Sequence, residues 1–185
     1  MAIKANPKFD WYQIVSGPEY TQGDILRNCP IPVPAPDRAF FEATREGSSQ
    51  AEAQVFIKTG NVVILTQACD IEQNKVDSIV LCPVFSLEEA ARQRAELGTP
   101  KGKDKLRIGG YFFLHLLNSD SDVRLEFSVV DFRVLYTLPT EFLRVVAENA
   151  GERPRLLPPY REHLSQAFAR YFMRVGLPID IPSFS

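Results

Sequence analysis

Two short hydrophobic runs near the middle of the chain form its clearest pattern. Residues 62–65 and 79–81 are β-branched and aliphatic stretches, each bounded by polar or turn-forming residues. Runs of this length are too short for typical helices, so they predict two buried strands that lie side by side. The polar segment between them is therefore expected at the rim of a sheet.

Further short apolar runs predict additional strands on both sides of this pair. Four prolines within residues 30–36 remove backbone donors, so this segment is predicted to be polyproline II or an edge strand. The polar residues 37–53 predict a flexible excursion between two strands. The other predicted strands cover residues 11–15, 23–26, 54–57, 111–117, 123–127 and 129–135.

The spacing of apolar residues changes to a helical period in three segments. Residues 87–97 follow Ser86, a predicted N-cap whose reciprocal partner is Glu89. Residues 140–149 predict a second helix. Residues 160–175 carry apolar side chains at three- and four-residue spacing, which predicts an amphipathic helix that covers the sheet.

These elements predict a fold that is mainly β with α decoration, in the α+β class. We expect one β domain over residues 1–150, with insertions at 30–55 and 87–108. Residues 151–185 are predicted to be a C-terminal helical extension packed on that domain. The prolines at the start of this extension predict a linker before the last helix.

Composition limits the class of protein. The chain has 185 residues, 45% of them hydrophobic and 24% charged, which is ordinary for a globular domain. The formal net charge of -2 argues against a molecule that binds polyanions over its whole surface. Three cysteines without a CxxC pair favour a reducing cytoplasm, and no membrane segment, metal or cofactor is expected.

The polar segment after the first central run holds the densest cluster of reactive side chains. Thr66, Gln67, Cys69, Asp70 and Glu72 all follow the end of a predicted strand. Rigid scaffolds often hold functional residues at such positions. The segment is therefore the first candidate for a site.

Three interpretations of Cys69 and Asp70 remain open. In a cysteine-dependent enzyme, Cys69 would be the nucleophile, His115 the base, and Asp70 or Asp131 the group that orients the imidazole. The same residue types can ligate zinc, although two histidines without paired spacing make a poor ligand set. In the simplest alternative, Cys69 packs below the strand end and Asp70 forms a turn.

Two groups of basic residues are candidates for binding nucleic acid or an acidic partner protein. A run after the predicted helix 87–97 is expected to be a solvated loop, and the last helix carries arginines among aromatic residues. An ordinary solvated surface is the alternative for both groups. The candidates are Lys101, Lys103, Lys105, Arg107, Arg161, Arg170 and Arg174.

Several short motifs resemble the PemK/MazF toxin family. They are Gly-Asp-Ile from Gly23, the run 62–65, Cys-Pro-Val from Cys82, and the strand 129–135 that leads into a helix. The resemblance covers roughly residues 23–143. It implies an SH3-like, partly open β-barrel with a C-terminal capping helix. Many members of the family are endoribonucleases paired with an antitoxin, so the resemblance also implies a bacterial toxin or defence system.

The positions that resemble the toxins' catalytic groups are changed. Phe85 stands where the family typically has a threonine, and Gly60-Asn61 replaces an Arg-Pro pair, with Lys58 the nearest cation. The resemblance therefore implies a toxin-type or defence-type accessory or interaction module that binds RNA, DNA or a partner protein. A homodimer is compatible with this expectation.

Two enzymatic alternatives accompany this prediction. Cleavage of RNA needs a group that orients the attacking hydroxyl and a cation for the developing charge. An endoribonuclease with relocated groups would use Gln67, Asp70, His115 and Arg133. The cysteine-dependent enzyme built on Cys69 is the second alternative.

Overall fold

The computed structural model describes residues 9–47 and 53–173 and is a mixed α+β fold. Within these residues the chain forms eight strands, six α-helices and one 3-10 helix. The strands are β1 (Tyr12–Val15), β2 (Ile25–Ala35), β3 (Gln54–Ile64), β4 (Ser78–Ser86), β5 (Leu114–Leu117), β6 (Ser128–Asp131), β7 (Tyr136–Pro139) and β8 (Arg153–Leu156). The helices are α1 (Arg38–Arg45), α2 (Ala68–Glu72), α3 (Leu87–Gln93), α4 (Pro100–Arg107), α5 (Thr140–Asn149) and α6 (Tyr160–Phe172), with the 3-10 helix at Ala95–Gly98.

β4 is the central strand of an antiparallel six-stranded sheet, called here the main sheet. Its strand order is β2-β3-β4-β6-β5, and β7 also pairs with β4. The two predicted central runs lie in β3 and β4, where Val63 pairs with Cys82 and Ile64 with Leu81. The prediction that these runs are neighbouring strands is therefore confirmed.

The main sheet does not close into a barrel in the part of the chain that the structure describes. It ends at β2 on one side and at β5 on the other. β1 and β8 instead form a separate two-stranded sheet. The predicted α+β class is confirmed, but the finer expectation of an SH3-like barrel is not.

β2 and β3 extend beyond the main sheet as a long two-stranded arm, formed by residues 29–35 and 54–60. The proline-rich segment lies on β2 at the end of the strand order, which confirms its predicted edge position. The prediction of a flexible excursion over residues 37–53 was wrong for the first part of this segment, because α1 forms there. This helix forms because the Asp37 carboxylate accepts a hydrogen bond from the Phe40 amide at 2.9 Å.

Local capping explains α3 and α4. The predicted capping box is present, since the Glu89 amide donates to Ser86 Oγ at 3.1 Å and the Ser86 amide donates to Glu89 Oε2 at 2.8 Å. The predicted loop after this helix was wrong. α4 forms there because Pro100 begins it and the Thr99 hydroxyl accepts from the Gly102 amide at 3.0 Å.

The predicted linker was also wrong, because β8 occupies it. Asp24 and Arg153 are both buried, and Arg153 Nε donates to Asp24 Oδ2 at 2.8 Å. Arg155 on the same strand also donates to the Asp24 carboxylate. This charged node of three residues ties β8 to the start of β2.

Three hydrophobic clusters surround the main sheet. Because neighbouring strand residues face opposite sides, Val63 packs in the cluster under α6, whereas Ile64 packs in the cluster under α5. A third cluster includes Leu106 of α4 and Leu114 of β5. α6 and α4 thus approach β5 from different sides and leave a cleft between them. None of the described helices is long and apolar enough to cross a membrane.

Candidate functional site

A cleft of about 790 Å³ lies between β5, α6 and the segment 106–112. This volume is typical of sites that bind small ligands. Its basic residues are Arg107, His115, His163 and Arg170, and its larger aromatic residues are Trp11, Tyr111, Phe112 and Phe127. We call it the basic cleft.

The geometry of α6 determines one wall of the basic cleft. Gln166 and Ala167 lie three and four residues after His163 and four and three residues before Arg170, so these four residues lie along one side of the helix. Leu164 lies beside this stripe and is buried in the core under α6. One helix therefore anchors itself in the core and presents polar groups to the cleft.

His115 lies on β5, opposite Val130 of β6, and is half-buried. Burial of the imidazole, followed by the positive charges of His163 and Arg170, lowers the pKa of His115 to about 4. The ring is therefore neutral near pH 7 and can accept a proton or a hydrogen bond. Because His163 and Arg170 both act on it, the three side chains form one electrostatic group.

The lining of the basic cleft contains no aspartate or glutamate in the described part of the chain. Among the described residues, Arg170 Nε donates a long 3.3 Å hydrogen bond to the Gln166 carbonyl oxygen and forms no ion pair. Arg107 pairs with Asp104 at 2.7 Å, an exposed contact of low strength. The positive charge of the cleft is therefore poorly balanced and favours an anionic ligand.

Aromatic surface adjoins these cations. Phe112 is 49% exposed and Phe127 is 46% exposed, and the Phe112 ring lies nearly parallel to the Tyr171 ring, with centroids 6.5 Å apart. Trp11 stacks on Tyr160 with ring centroids 3.7 Å apart, which fixes it at the cleft wall. The cleft thus places partly exposed aromatic side chains beside guanidinium and imidazole groups.

A smaller pocket of about 230 Å³ contains the predicted residue Arg133. Arg133 and Asp131 form an ion pair, with Arg133 Nη2 2.6 Å from Asp131 Oδ2. The Arg133 guanidinium also lies over the Phe113 ring, 4.6 Å from its centroid. Phe85, at the altered family motif, lines the same pocket. Arg133 is thus engaged within the chain.

The cluster after the first central run lies apart from the basic cleft. α2 begins after Gln67, and Cys69 is exposed with its Sγ 3.8 Å from Asp70 Oδ1. Asp70 also lies 3.9 Å from Lys75 Nζ. The expected Asp70 turn is a short helix, and Cys69 does not pack under the strand end. In the described residues no hydrogen bond, ion pair or ring contact joins this cluster to His115 or Arg133.

The predicted basic residues separate into different surroundings. Arg107 and Arg170 line the cleft, whereas Lys101 and Lys103 are exposed on α4 and Lys105 Nζ lies 4.5 Å from the centroid of the Tyr111 ring. Arg161 pairs with Glu162 at 2.9 Å and lies on the other side of α6 from Arg170, because nine residues correspond to two and a half turns. Arg174 lies outside the described residues.

His163 and the exposed aromatic residues were missed by sequence reasoning. His163 is exposed on α6, and Trp11 packs against the core under α6 while it also lines the cleft. The available signal was the polar stripe at 163, 166 and 170 beside the apolar stripe of α6. Nothing in the sequence indicated that β5 and its histidine would face that stripe, because this contact joins distant segments.

Comparison of the chain with protein-family models, with curated proteins and with solved structures gives no match. In the described residues, no three histidine, cysteine, aspartate or glutamate side chains are grouped so that they could hold a metal ion.

Proposed function

We propose that this protein binds single-stranded nucleic acid in the basic cleft. In this proposal, Arg107 and Arg170 contact phosphates while unpaired bases stack on Phe112 and Phe127. The observation that carries the proposal is the combination of cations and partly exposed aromatic side chains in one cleft whose described lining has no acidic residue.

The chemistry of the cleft favours a single strand over a duplex. Every base has a flat face that stacks on aromatic side chains, but in a duplex these faces are covered by neighbouring bases. The cleft volume of about 790 Å³ suits one or a few extruded nucleotides. The net charge of -2 is compatible with such a local site, because a few cations in one cleft can attract an anion although the total charge is near zero.

The biological setting is a further part of the proposal. The resemblance of the motifs from Gly23 to the strand 129–135 to PemK/MazF toxins supports an accessory module in a bacterial toxin or defence system. An acidic segment of a partner protein is the competing ligand, since it would also be attracted to Arg107 and Arg170. Aromatic stacking favours nucleic acid between these two ligands.

Binding of fluorescent single-stranded RNA and DNA over a range of salt concentrations tests the proposal. Arg170→Ala is expected to weaken binding by roughly tenfold and to reduce the salt slope by about one. Arg92→Ala is the matched control, because Arg92 is exposed and pairs with Glu88 outside the cleft. Equal binding by both variants and the parent protein, or preferential binding of polyglutamate, would refute the nucleic-acid proposal.

The two histidines in the cleft favour RNA cleavage as a second candidate function. Neutral His115 would accept the 2′-hydroxyl proton as that oxygen attacks phosphorus, the P–O5′ bond would break, and the His163 imidazole would give a proton to the leaving oxygen. The products would be a 2′,3′-cyclic phosphate and a 5′-hydroxyl end. This version retains His115 from the predicted catalytic set and omits Gln67, Asp70 and Arg133.

Incubation with RNA and with DNA of the same sequence separates binding from cleavage. If the protein cleaves RNA by this mechanism, the RNA is cut and the DNA is not. His115→Gln and His163→Gln should then each reduce the cleavage rate by at least about 100-fold with little change in RNA binding. RNA that remains uncut at high protein concentration would refute the cleavage function without affecting the binding proposal. Cutting that is unchanged by both variants would refute the histidine mechanism.

A further inference from the structure

The outer half of β3 is an exposed strand edge. Residues 54–59 are all exposed, and the side chains of Val55, Phe56 and Ile57 are 55%, 57% and 65% exposed. β3 pairs with β4 only from Val62 to Ile64, so the side of residues 54–60 away from β2 has no strand beside it in the described structure. Exposed strand edges promote pairing with another chain.

The other edge of the arm is blocked by prolines. Pro30, Pro32 and Pro34 alternate along β2 and pair with β3 residues in an antiparallel register. A proline has no amide hydrogen, so these positions face away from β3 and the intervening residues supply the ladder bonds. The outer side of β2 therefore lacks the donors that a further strand would need.

The same alternation identifies the backbone amide and carbonyl groups of β3 that point away from β2. Ile31 and Val33 bond to Lys58 and Phe56 across the ladder, so the amide and carbonyl groups of alternate residues face outward. In the described residues no hydrogen bond is formed by these outward groups. They belong to Val55, Ile57 and Thr59.

We propose that a second copy of this chain pairs with this edge in an antiparallel, two-fold symmetric arrangement centred on Ile57. In this register Ile57 lies opposite its own copy, and Val55 lies opposite Thr59 of the second copy. Each of these pairs exchanges two hydrogen bonds, so all the outward groups are satisfied. The six strands of each copy would join into one continuous sheet.

The side chains are complementary to themselves in this register. The face that includes Ile57 brings β-branched residues together, which pair well across strands. On the other face, Lys58 lies opposite Phe56 of the second copy, which places a cation beside an aromatic ring. Lys58 is the only charged residue from 54 to 60, and this register keeps it away from its own copy.

The size of the surface predicts a reversible dimer. Val55, Phe56 and Ile57 each expose on the order of 100 Å². Their sum is well below the roughly 800 Å² per partner of a standard interface. We therefore expect dimers at high protein concentration that dissociate on dilution.

Sedimentation equilibrium of the full chain over a range of concentrations tests the proposal. Ile57→Pro removes an outward donor without touching the β2–β3 ladder, and Ile57→Lys places two like charges at the symmetry axis; each is expected to raise the dimer dissociation constant by at least about tenfold. Val145→Lys is the control, because it makes the same charge change at an exposed residue of α5. A parent protein that stays monomeric, or a dimer that Ile57→Lys leaves unchanged, would overturn the proposal.

Discussion

Two regions of this molecule concentrate charge, and they differ in how the charge is balanced. In the charged node, Asp24 is fully buried and bonded to Arg153, whose remaining donors reach backbone carbonyl groups. In the basic cleft, Arg170 and His163 face an open volume whose described lining contains no carboxylate. Both regions contain arginines that are close to β-strands, so residue type alone does not distinguish them.

The difference separates structural charge from charge that is available to a ligand. A buried guanidinium is tolerated only when its partners are present, so Arg153 and Asp24 hold β8 against β2. A group of cations without acidic neighbours gains free energy when an anion arrives, which is the property of a binding site.

The largest expected effect is on the charged node. Asp24→Asn leaves Arg153 buried without a counter-charge and should lower the free energy of unfolding by about 3–5 kcal/mol. Urea unfolding measures this change. Glu88→Gln, which breaks an exposed pair with Arg92, is the control and should cost about 0.5 kcal/mol or less. Similar losses for both variants would show that Asp24 does not have this structural role.

The second prediction concerns the support of the cleft. A Cβ atom at Gly102 would lie 1.8 Å from the Glu96 carbonyl oxygen, so α4 must shift and carry Arg107 with it. Gly102→Ala should cost about 1–3 kcal/mol and weaken oligonucleotide binding. Gly98→Ala, whose Cβ would meet Ala91 at an ordinary 3.6 Å, should leave both properties nearly unchanged. Wild-type stability in the Gly102 variant would contradict this packing.

The third prediction is a pH dependence. The unfolded chain protonates His115 near pH 6.5, whereas the fold holds its pKa at about 4. Between these values only the unfolded state binds the proton, so the free energy of unfolding falls as pH drops from about 6.5 towards 4. Because the ring is partly open to the cleft, we expect this contribution to be about 1–2 kcal/mol. His115→Gln should remove that part of the pH dependence, and identical pH profiles would argue against a buried neutral imidazole.

The fourth prediction alters the charge of the cleft with little effect on the fold. Gln166 is exposed on the cleft wall, so Gln166→Glu places a carboxylate among the cations. Affinity for a single strand should fall about five- to tenfold at low salt, while stability changes by less than about 0.5 kcal/mol. Gln73→Glu, at the end of α2, makes the same change away from the cleft. If that control weakens binding equally, the effect is one of total charge.

Local patterns predicted much of the fold because they act over short distances. The runs in β3 and β4, the Ser86 capping box, α5 and the proline-rich edge strand all follow from neighbouring residues. The errors came from contacts between distant segments. β8 forms across prolines because Arg153 and Arg155 meet Asp24, which is far away in the sequence.

The candidate site was predictable only in its parts. His115, Arg107 and Arg170 were all selected from the sequence, but as members of different groups. Their proximity depends on the packing of α6 and α4 against β5, which no local pattern reveals. Cys69 and Asp70 were candidate site residues because they lie in a dense cluster of reactive side chains in the sequence. In the fold they lie on a short helix away from the cleft.

The two histidine side chains provide the most direct test of the basic cleft. The chain has only two histidines, and both line this cleft, so its imidazole NMR signals report on a single site. Addition of a single-stranded oligonucleotide should shift both signals and raise the pKa of His115 from about 4, because nearby phosphates stabilise the protonated ring. Binding that leaves both signals and this pKa unchanged would show that nucleic acid binds elsewhere and would contradict the proposed function.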